Sequence, residues 1–344
     1  MVLPRSLADY LSPGRGQTEL AEAVAACVLR IANAATRLST IIERGSLNEN
    51  LAAEGTDNFQ GETQKRLDII ANDEIIRAAR EAPVAVLLSE ELQDPLVLDQ
   101  SKPLALAIDP LDGSSNIGVN SAIGTIFSIL PANANDLAGS FLQPGNHQLA
   151  AGHVIYGAQT QFVLTLGKGT VVFTLDPQKG EFFQTGTATV APHTSEFAIN
   201  ASNYRHWPDG LRNYVNDCLA GTEGPLEKDY NMRWLGAVVG EVHRILLRGG
   251  IYIYPADRRQ GYGEGRLRLV YEGNPIAFLI EQAGGAATDG QNRIIDLKPH
   301  APHQRTGLCF GTKEEVKRVA RYLATPNEEP SPLFGHRGLF RVKG

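Results

Sequence analysis

Ala107-Ile108-Asp109-Pro110-Leu111-Asp112-Gly113-Ser114-Ser115-Asn116 sets two carboxylates, a tight turn and a run of small hydrogen-bonding residues behind an apolar segment. Leu104 to Ile108, bounded by Pro103 and Pro110, predicts a fully buried strand that ends at Asp109 and delivers its carboxylate at the strand's tip. Pro110 has no amide proton for a ladder. Gly113 lets the backbone approach a ligand, and Ser114, Ser115 and Asn116 suit the opening of a helix whose free amides face an anion. An isolated Asp-Gly pair reads as a surface turn with an aspartate cap. In this setting the stretch reads instead as a metal and phosphate site.

Working outward, Leu88-Ser89-Glu90-Glu91 closes another apolar run ahead of this stretch. Together with Asp-Pro-Leu-Asp-Gly-Ser-Ser-Asn it resembles the metal-dependent sugar and inositol phosphatase superfamily, in which two strand tips bring the four carboxylates together. Ile123-Gly124-Thr125-Ile126-Phe127-Ser128-Ile129, Gly249-Gly250-Ile251-Tyr252-Ile253-Tyr254-Pro255 and Leu267-Arg268-Leu269-Val270-Tyr271-Glu272-Gly273-Asn274-Pro275 are similar to class I fructose-1,6-bisphosphatases, and the likeness runs in order from about Thr18 to about Val316. Periodicity alone supports α+β or α/β with one antiparallel region. The resemblance implies a layered α-β-α-β-α sandwich with the metal site between an N-terminal half, 1–196, and a C-terminal half, 197–330, followed by a tail, 331–344. It also implies a homotetramer.

The 344 residues can bury a large core, and a net charge of −6 without a basic block argues against nucleic acid or an anionic membrane surface as partner. A small-molecule substrate fits better. Cys27, Cys218 and Cys309 are widely spaced and in no metal-binding pattern, which predicts reduced buried thiols and a cytoplasmic protein. No run reaches ~18 consecutive apolar residues, so neither signal peptide nor membrane span is expected.

Along the chain, Leu20, Val24, Cys27, Val28, Ile31, Ala35, Leu38 and Ile42 recur at helical spacing up to Gly45. Ser46 to Gly61 reads as a polar loop rather than a strand, and Thr63 to Glu81 as a helix with Asp68 in its first turns. Ile123–Leu130, Leu149–Ala158, Gln161–Leu166 and Thr170–Leu175 read as an antiparallel meander, the last two joined by Gly167-Lys168-Gly169. Helices at Asp209–Leu219, Arg233–Arg248, Asn274–Ala283 and Lys313–Leu323 alternate with strands at Phe197–Asn200, Ile251–Tyr254 and Leu308–Gly311. His243 reads as structural.

Phosphate-ester hydrolysis needs up to ~10²¹-fold acceleration, most of it from positioning and charge neutralisation. Glu90, Glu91, Asp109, Asp112 and Glu272 would repel one another if they converged without cations. The resemblance implies Glu90, Asp109, Asp112 and Glu272 as metal ligands with the main-chain carbonyl of Leu111, and Glu91 and Asp68 as the residues that prepare the attacking water. The implied cofactor is Mg²⁺, two or more per subunit, with Mn²⁺ able to substitute. Asp112, Gly113, Ser114 and Ser115 would hold the scissile phosphate. Asn200, Arg233, Tyr254 and Arg266 would hold the second, with Arg233 acting across a subunit interface. The expected reaction is removal of the 1-phosphate from fructose 1,6-bisphosphate, in gluconeogenesis or a Calvin-type cycle. A sedoheptulose-1,7-bisphosphatase or bifunctional enzyme is the nearest alternative, inositol monophosphatase a more distant one, and a non-catalytic sugar-phosphate-binding regulator the alternative of another class.

The chain departs from the family pattern at Arg266 (usually lysine), Trp234 (usually tyrosine), Gly118 (usually an acid) and Glu62 (usually aspartate). AMP-inhibited members carry a lysine-tyrosine pair and an arginine where this chain has Pro103-Leu104 and Leu130-Pro131, so weak or absent AMP inhibition is expected.

Overall fold

Short apolar runs in the middle of the chain become strands and the amphipathic runs at either side become helices. The computed structural model describes residues 4–12, 18–47, 50–59, 61 and 63–324; the expected tail and Glu62 lie outside them. α1 (Leu7–Leu11) and α2 (Glu19–Arg44) precede a small antiparallel hairpin, β1 (Glu54–Asp57) and β2 (Thr63–Lys65), and then α3 (Arg66–Arg80). Next come β3 (Val84–Ser89), β4 (Leu96–Val97), β5 (Leu104–Asp112), β6 (Ile123–Pro131), β7 (Ala150–Tyr156), β8 (Thr160–Thr165), β9 (Thr170–Asp176) and β10 (Glu181–Ala188). They form one sheet in the order β10-β9-β8-β7-β6-β5-β3-β4, antiparallel except for the β3–β5 pair.

β11 (Glu196–Ile199), α4 (Asp209–Leu219), β12 (Asn231–Met232), α5 (Val238–Arg248), β13 (Ile251–Tyr254), β14 (Leu267–Arg268), α6 (Asn274–Gln282), β15 (Ala286–Thr288), β16 (Arg305–Thr306), β17 (Leu308–Gly311) and α7 (Lys313–Ala324) complete the fold. The second sheet runs β12-β11-β13-β17-β15. Helices α2 and α3 cover one face of the large sheet, α5 and α6 lie between the sheets, and α4 and α7 cover the far face of the second. The layers are therefore α-β-α-β-α, as expected.

Helix α2 is long and apolar enough by composition to cross a membrane. Its apolar stripe of Val24, Cys27, Val28, Ile31, Ala35 and Leu38 is instead buried in the core around the large sheet. The Thr18 hydroxyl caps it, accepting the Ala21 amide at 3.2 Å, a bond of the kind worth about 1 kcal/mol. Cys27, Cys218 and Cys309 are free and buried, and burial pushes the Cys27 thiol up to about 12. His243 Nδ1 meets His153 Nε2 at 3.1 Å in the interior, where burial lowers both imidazoles and keeps them neutral.

Three expectations about local structure fail for identifiable reasons. Glu54–Asp57 is a strand, not loop, because it pairs with Thr63–Lys65; those residues accordingly belong to the hairpin and the helix begins at Arg66. The helix expected from Arg233 begins at Val238, since Asn231–Met232 is an edge strand and Gly236 takes φ +78°. Most consequentially, β5 does not stop at Asp109. It continues through Pro110 to Asp112 by a register shift against β6 between those two aspartates, and the Thr125 hydroxyl donates to the Pro110 carbonyl at 2.8 Å. A bulge tolerates the missing proline amide.

Candidate active site

The bulge decides the chemistry. On a regular strand, residues three apart face opposite sides of the sheet. The bulge re-aims the chain so that carboxylate oxygens of Asp109, Asp112 and Glu272 all lie within 4.8 Å of one another. Glu272 arrives from the other half of the chain, on a single wide helical turn, Leu269–Gly273, directly before α6. Its Oε2 accepts the Arg268 backbone amide at 2.5 Å. Glu90 joins from the neighbouring strand tip. The parallel β3–β5 register sets Ser89 opposite Ile108, and the Glu90 amide donates to the Ile108 carbonyl at 3.1 Å. The Glu90 carboxylate contacts that of Asp109 and pairs with Arg268 Nη2 at 3.2 Å.

Burial and mutual repulsion together raise Asp109 and Asp112. Burial first, then the charges of Glu90, Asp112 and Glu272, hold Asp109 well above the usual carboxylate range. Asp112 is pushed up to about 7, again mainly by burial, although its Oδ2 accepts the Val239 amide at 2.6 Å. Oxygen ligands of this kind, with high negative charge and little room, match the preference of a hard divalent cation. The residues present therefore fit a metal.

Asp68 and Glu91 flank the cluster and are held by different means. Asp68 is the third residue of α3 and is buried. Its Oδ2 accepts the Lys65 amide and its Oδ1 the Ser114 hydroxyl, both at 2.6 Å. Burial outweighs these bonds and raises it to about 6. Glu91 accepts from Gln64 Nε2 at 2.6 Å and more weakly from Asn58 at 3.4 Å. The Ser114 hydroxyl, expected on the phosphate, is thus engaged by Asp68. Gly113, at φ +89°, cannot be replaced without conflict, since a Cβ there would sit 2.8 Å from Ala237 Cβ and 2.9 Å from the Ala122 carbonyl.

A cavity of about 560 Å³ opens onto these groups. Glu90, Glu91, Asp109, Leu111, Asp112, Gly113, Ser114, Ser115 and Glu272 line it, as do Tyr254 and Arg266, which also line a small adjoining cleft from which these acids are absent. The Arg266 guanidinium has no carboxylate partner among the described residues. Asn200 opens onto a small adjoining cleft that shares Tyr254 and Arg266 with the cavity; its side chain accepts from the Ser202 amide at 3.2 Å and the Ser202 hydroxyl at 2.5 Å. Arg233 does not line its own chain's cavity. Its side chain is 48 % exposed and lies 3.6 Å from Glu196.

Sequence reasoning missed Arg268, Tyr262 and Arg305, which also line the cavity, and the Gln64 support of Glu91. Arg268 stands inside a quoted block, but an arginine in an apolar strand reads as a solvated face until Glu90 and Glu272 are seen beside it.

Carboxylates gathered from a bulged strand, a neighbouring strand tip and a helical turn, within this α-β-α-β-α sandwich, define a metal-dependent phosphoric monoester hydrolase of the sugar-phosphatase fold. Likeness to known proteins narrows it further. Residues 11–187 match the family model "Fructose-1-6-bisphosphatase, N-terminal domain", and residues 190–324 match the C-terminal domain of the same name. The class 1 fructose-1,6-bisphosphatase of Rhizobium meliloti is 53% identical over 331 residues, covering 94% of this chain and 95% of the relative. That of Methylorubrum extorquens is 50% identical over 340 residues, covering 98% of each. The crystal structure of Leishmania major fructose-1,6-bisphosphatase in holo form is 31% identical, with a TM-score of 0.85, over 93% of this chain and 98% of that one. The chain belongs to the fructose-1,6-bisphosphatase family.

Proposed function

We propose that the chain removes the 1-phosphate of D-fructose 1,6-bisphosphate, giving fructose 6-phosphate and inorganic phosphate, with Mg²⁺ or Mn²⁺ held by Glu90, Asp109, Asp112, Glu272 and the Leu111 carbonyl. The observation that carries it is one cavity lined both by converging acids and by Tyr254 and an arginine, Arg266, with no carboxylate partner among the described residues. When bound, the cations supply Lewis-acid stabilisation of charge on the transferring phosphate. Asp112 and the Gly113, Ser114 and Ser115 amides hold the scissile phosphate beside the acids, and Asn200, Tyr254 and Arg266 take the second. Glu91 and Asp68 orient the attacking water and accept its proton. Phosphate release measured with and without excess chelator tests the reading; full activity in chelator would sink it.

Arg233 is supported here as a residue offered to a second copy, because it is half-exposed and is not among the residues lining its own cavity, and a homotetramer is part of the proposal. So is a division into two halves, supported by the two sheets, although the expected cut at 196/197 falls one residue inside β11, which opens the second sheet at Glu196. A cytoplasmic location is supported by three unpaired buried thiols. Sedoheptulose 1,7-bisphosphate presents the same two charges and is the competing substrate. A phosphate-binding regulator without catalysis would not need Asp68 and Glu91 held as firmly as they are.

Two expected results concern Arg266 and the amino-terminal helix. Arg266→Ala is expected to raise KM for the bisphosphate on the order of 10-fold, from loss of a charge-assisted hydrogen bond, with a much smaller effect on a simple monophosphate ester. Equal losses on both substrates would remove Arg266 from the second phosphate. AMP is expected to inhibit weakly or not at all. Leu104 pairs with Pro131 and Ala105 with Leu130 across β5–β6, and a cleft of about 240 Å³ that includes Leu20 is lined by Tyr10, Leu11, Thr18, Ala21, Val24 and other neutral residues. None of these supplies a cation for the nucleotide phosphate. Half-inhibition at low micromolar AMP and fixed magnesium would show the inference wrong.

A further inference from the structure

We propose that Arg259 is a specificity-determining residue for the bisphosphate, a second cation beside Arg266 in the small cleft that adjoins the acid-lined cavity. The proposal rests on the reading of Arg266 and Tyr254 as residues of the second phosphate, and its test is built to fail separately from that reading. Arg259 lies between β13 and β14, in Asp257-Arg258-Arg259-Gln260-Gly261-Tyr262-Gly263-Glu264-Gly265-Arg266. It lines the cleft that Asn200, Tyr254 and Arg266 also line.

The loop closes on itself. The Asp257 amide donates to the Tyr262 carbonyl, the Tyr262 amide to the Arg259 carbonyl and the Gly265 amide to the Tyr262 carbonyl, each at 3.0 Å. Its end is pinned at Gly265, at φ +98°, where a Cβ would stand 2.2 Å from the Thr306 backbone. Asp257, itself buried, grips one edge of the Arg259 guanidinium: Nε donates to both carboxylate oxygens at 3.0 Å, Nη2 donates to Oδ2, and the Arg259 amide adds a bond to Oδ1 at 3.0 Å. Nη1 makes no hydrogen bond among the described residues. A planar fork anchored along one edge presents its other edge in a fixed direction, which is how arginine recognises a phosphate.

Tyr262 joins this arginine to the one already assigned. The Arg259 Cζ lies 4.5 Å from the Tyr262 ring centroid and the Arg266 Cζ 4.8 Å, with Arg266 also 5.9 Å from the Tyr254 ring. Two guanidinium groups so share one aromatic ring; Asp257 balances one of the two positive charges, which leaves a net positive charge and the outer edge of Arg259 for a phosphate dianion. A purely structural staple between Asp257 and Arg259 needs neither the shared ring nor a place in the cleft with Asn200.

The test compares Arg259→Gln, Arg259→Lys and Arg266→Ala in the full-length enzyme, reading KM and kcat on the bisphosphate and on a simple monophosphate ester. Arg259→Gln is expected to raise KM for the bisphosphate on the order of 10-fold, as for one lost charge-assisted bond, with kcat changed far less. Arg259→Lys keeps the charge without the fork and is expected to recover part of the loss. A wild-type KM in Arg259→Gln while Arg266→Ala raises it overturns the role of Arg259 and leaves the second-phosphate reading intact. A wild-type KM in both overturns both. If Arg259→Gln melts below assay temperature, Arg259→Lys decides alone: a wild-type KM there overturns the proposal, and an elevated one supports it.

Discussion

Asparagine in place of Asp109, or glutamine in place of Glu272, is expected to lower turnover by at least ~10²-fold, the loss that follows removal of a single preorganised charge-stabilising group. Both substitutions keep shape and remove charge, so the effect separates electrostatics from packing. The two acids come from opposite halves of the chain and meet within 4.8 Å with Asp112. A loss at both therefore reports one shared cation site rather than two local folds. The same substitutions remove repulsion from a buried cluster in which burial and neighbouring charges already hold Asp109 well above its ordinary range. The chelated variants should consequently melt no lower than the chelated wild type, while gaining less from added magnesium. Wild-type turnover in both variants would dismantle the metal assignment.

How much of this was legible in the sequence depends on range. Asp109, Asp112 and Gly113 declare themselves within a single turn motif, and the helical spacing ahead of Asp68 is local too. The bulge that turns Asp109 and Asp112 to one side is not local: it exists only in the register between β5 and β6, and Pro110 taken alone argues for a strand end. Glu54–Asp57 fails for the same reason, since a four-residue strand whose partner is the neighbouring hairpin carries no alternation to read. Arg233 was assignable only by resemblance, and within one chain it faces Glu196 rather than the cavity. Arg268 and the Arg259–Tyr262 loop carry their meaning in what they touch, and their residue types by themselves read as solvated surface.

Glu91→Gln and Asp68→Asn should depress kcat by at least ~10²-fold, within the range for loss of a general base, and leave KM comparatively unchanged. The separation follows from the geometry. Glu91 lines the same cavity as the acids and is steadied by Gln64, while Asp68 sits behind Ser114 with both of its oxygens engaged. Among the described residues neither makes a hydrogen bond or ion pair with Tyr254 or Arg266, so the ground-state complex keeps its binding contacts and the transition state loses its proton acceptor. Asp68 adds a signature in pH. Burial raises it to about 6, so it gains the ability to accept a proton as pH rises through that value, and the rate should climb with it. Bound cations stabilise the ionised form and move this limb toward lower pH, a shift that increases with magnesium concentration. In Asp68→Asn the residue can no longer titrate, and the residual activity should lose that limb. A variant that kept kcat and lost only affinity, or an Asp68→Asn enzyme with an unaltered acidic limb, would take the proton from another group and leave Asp68 as the residue that orients Ser114.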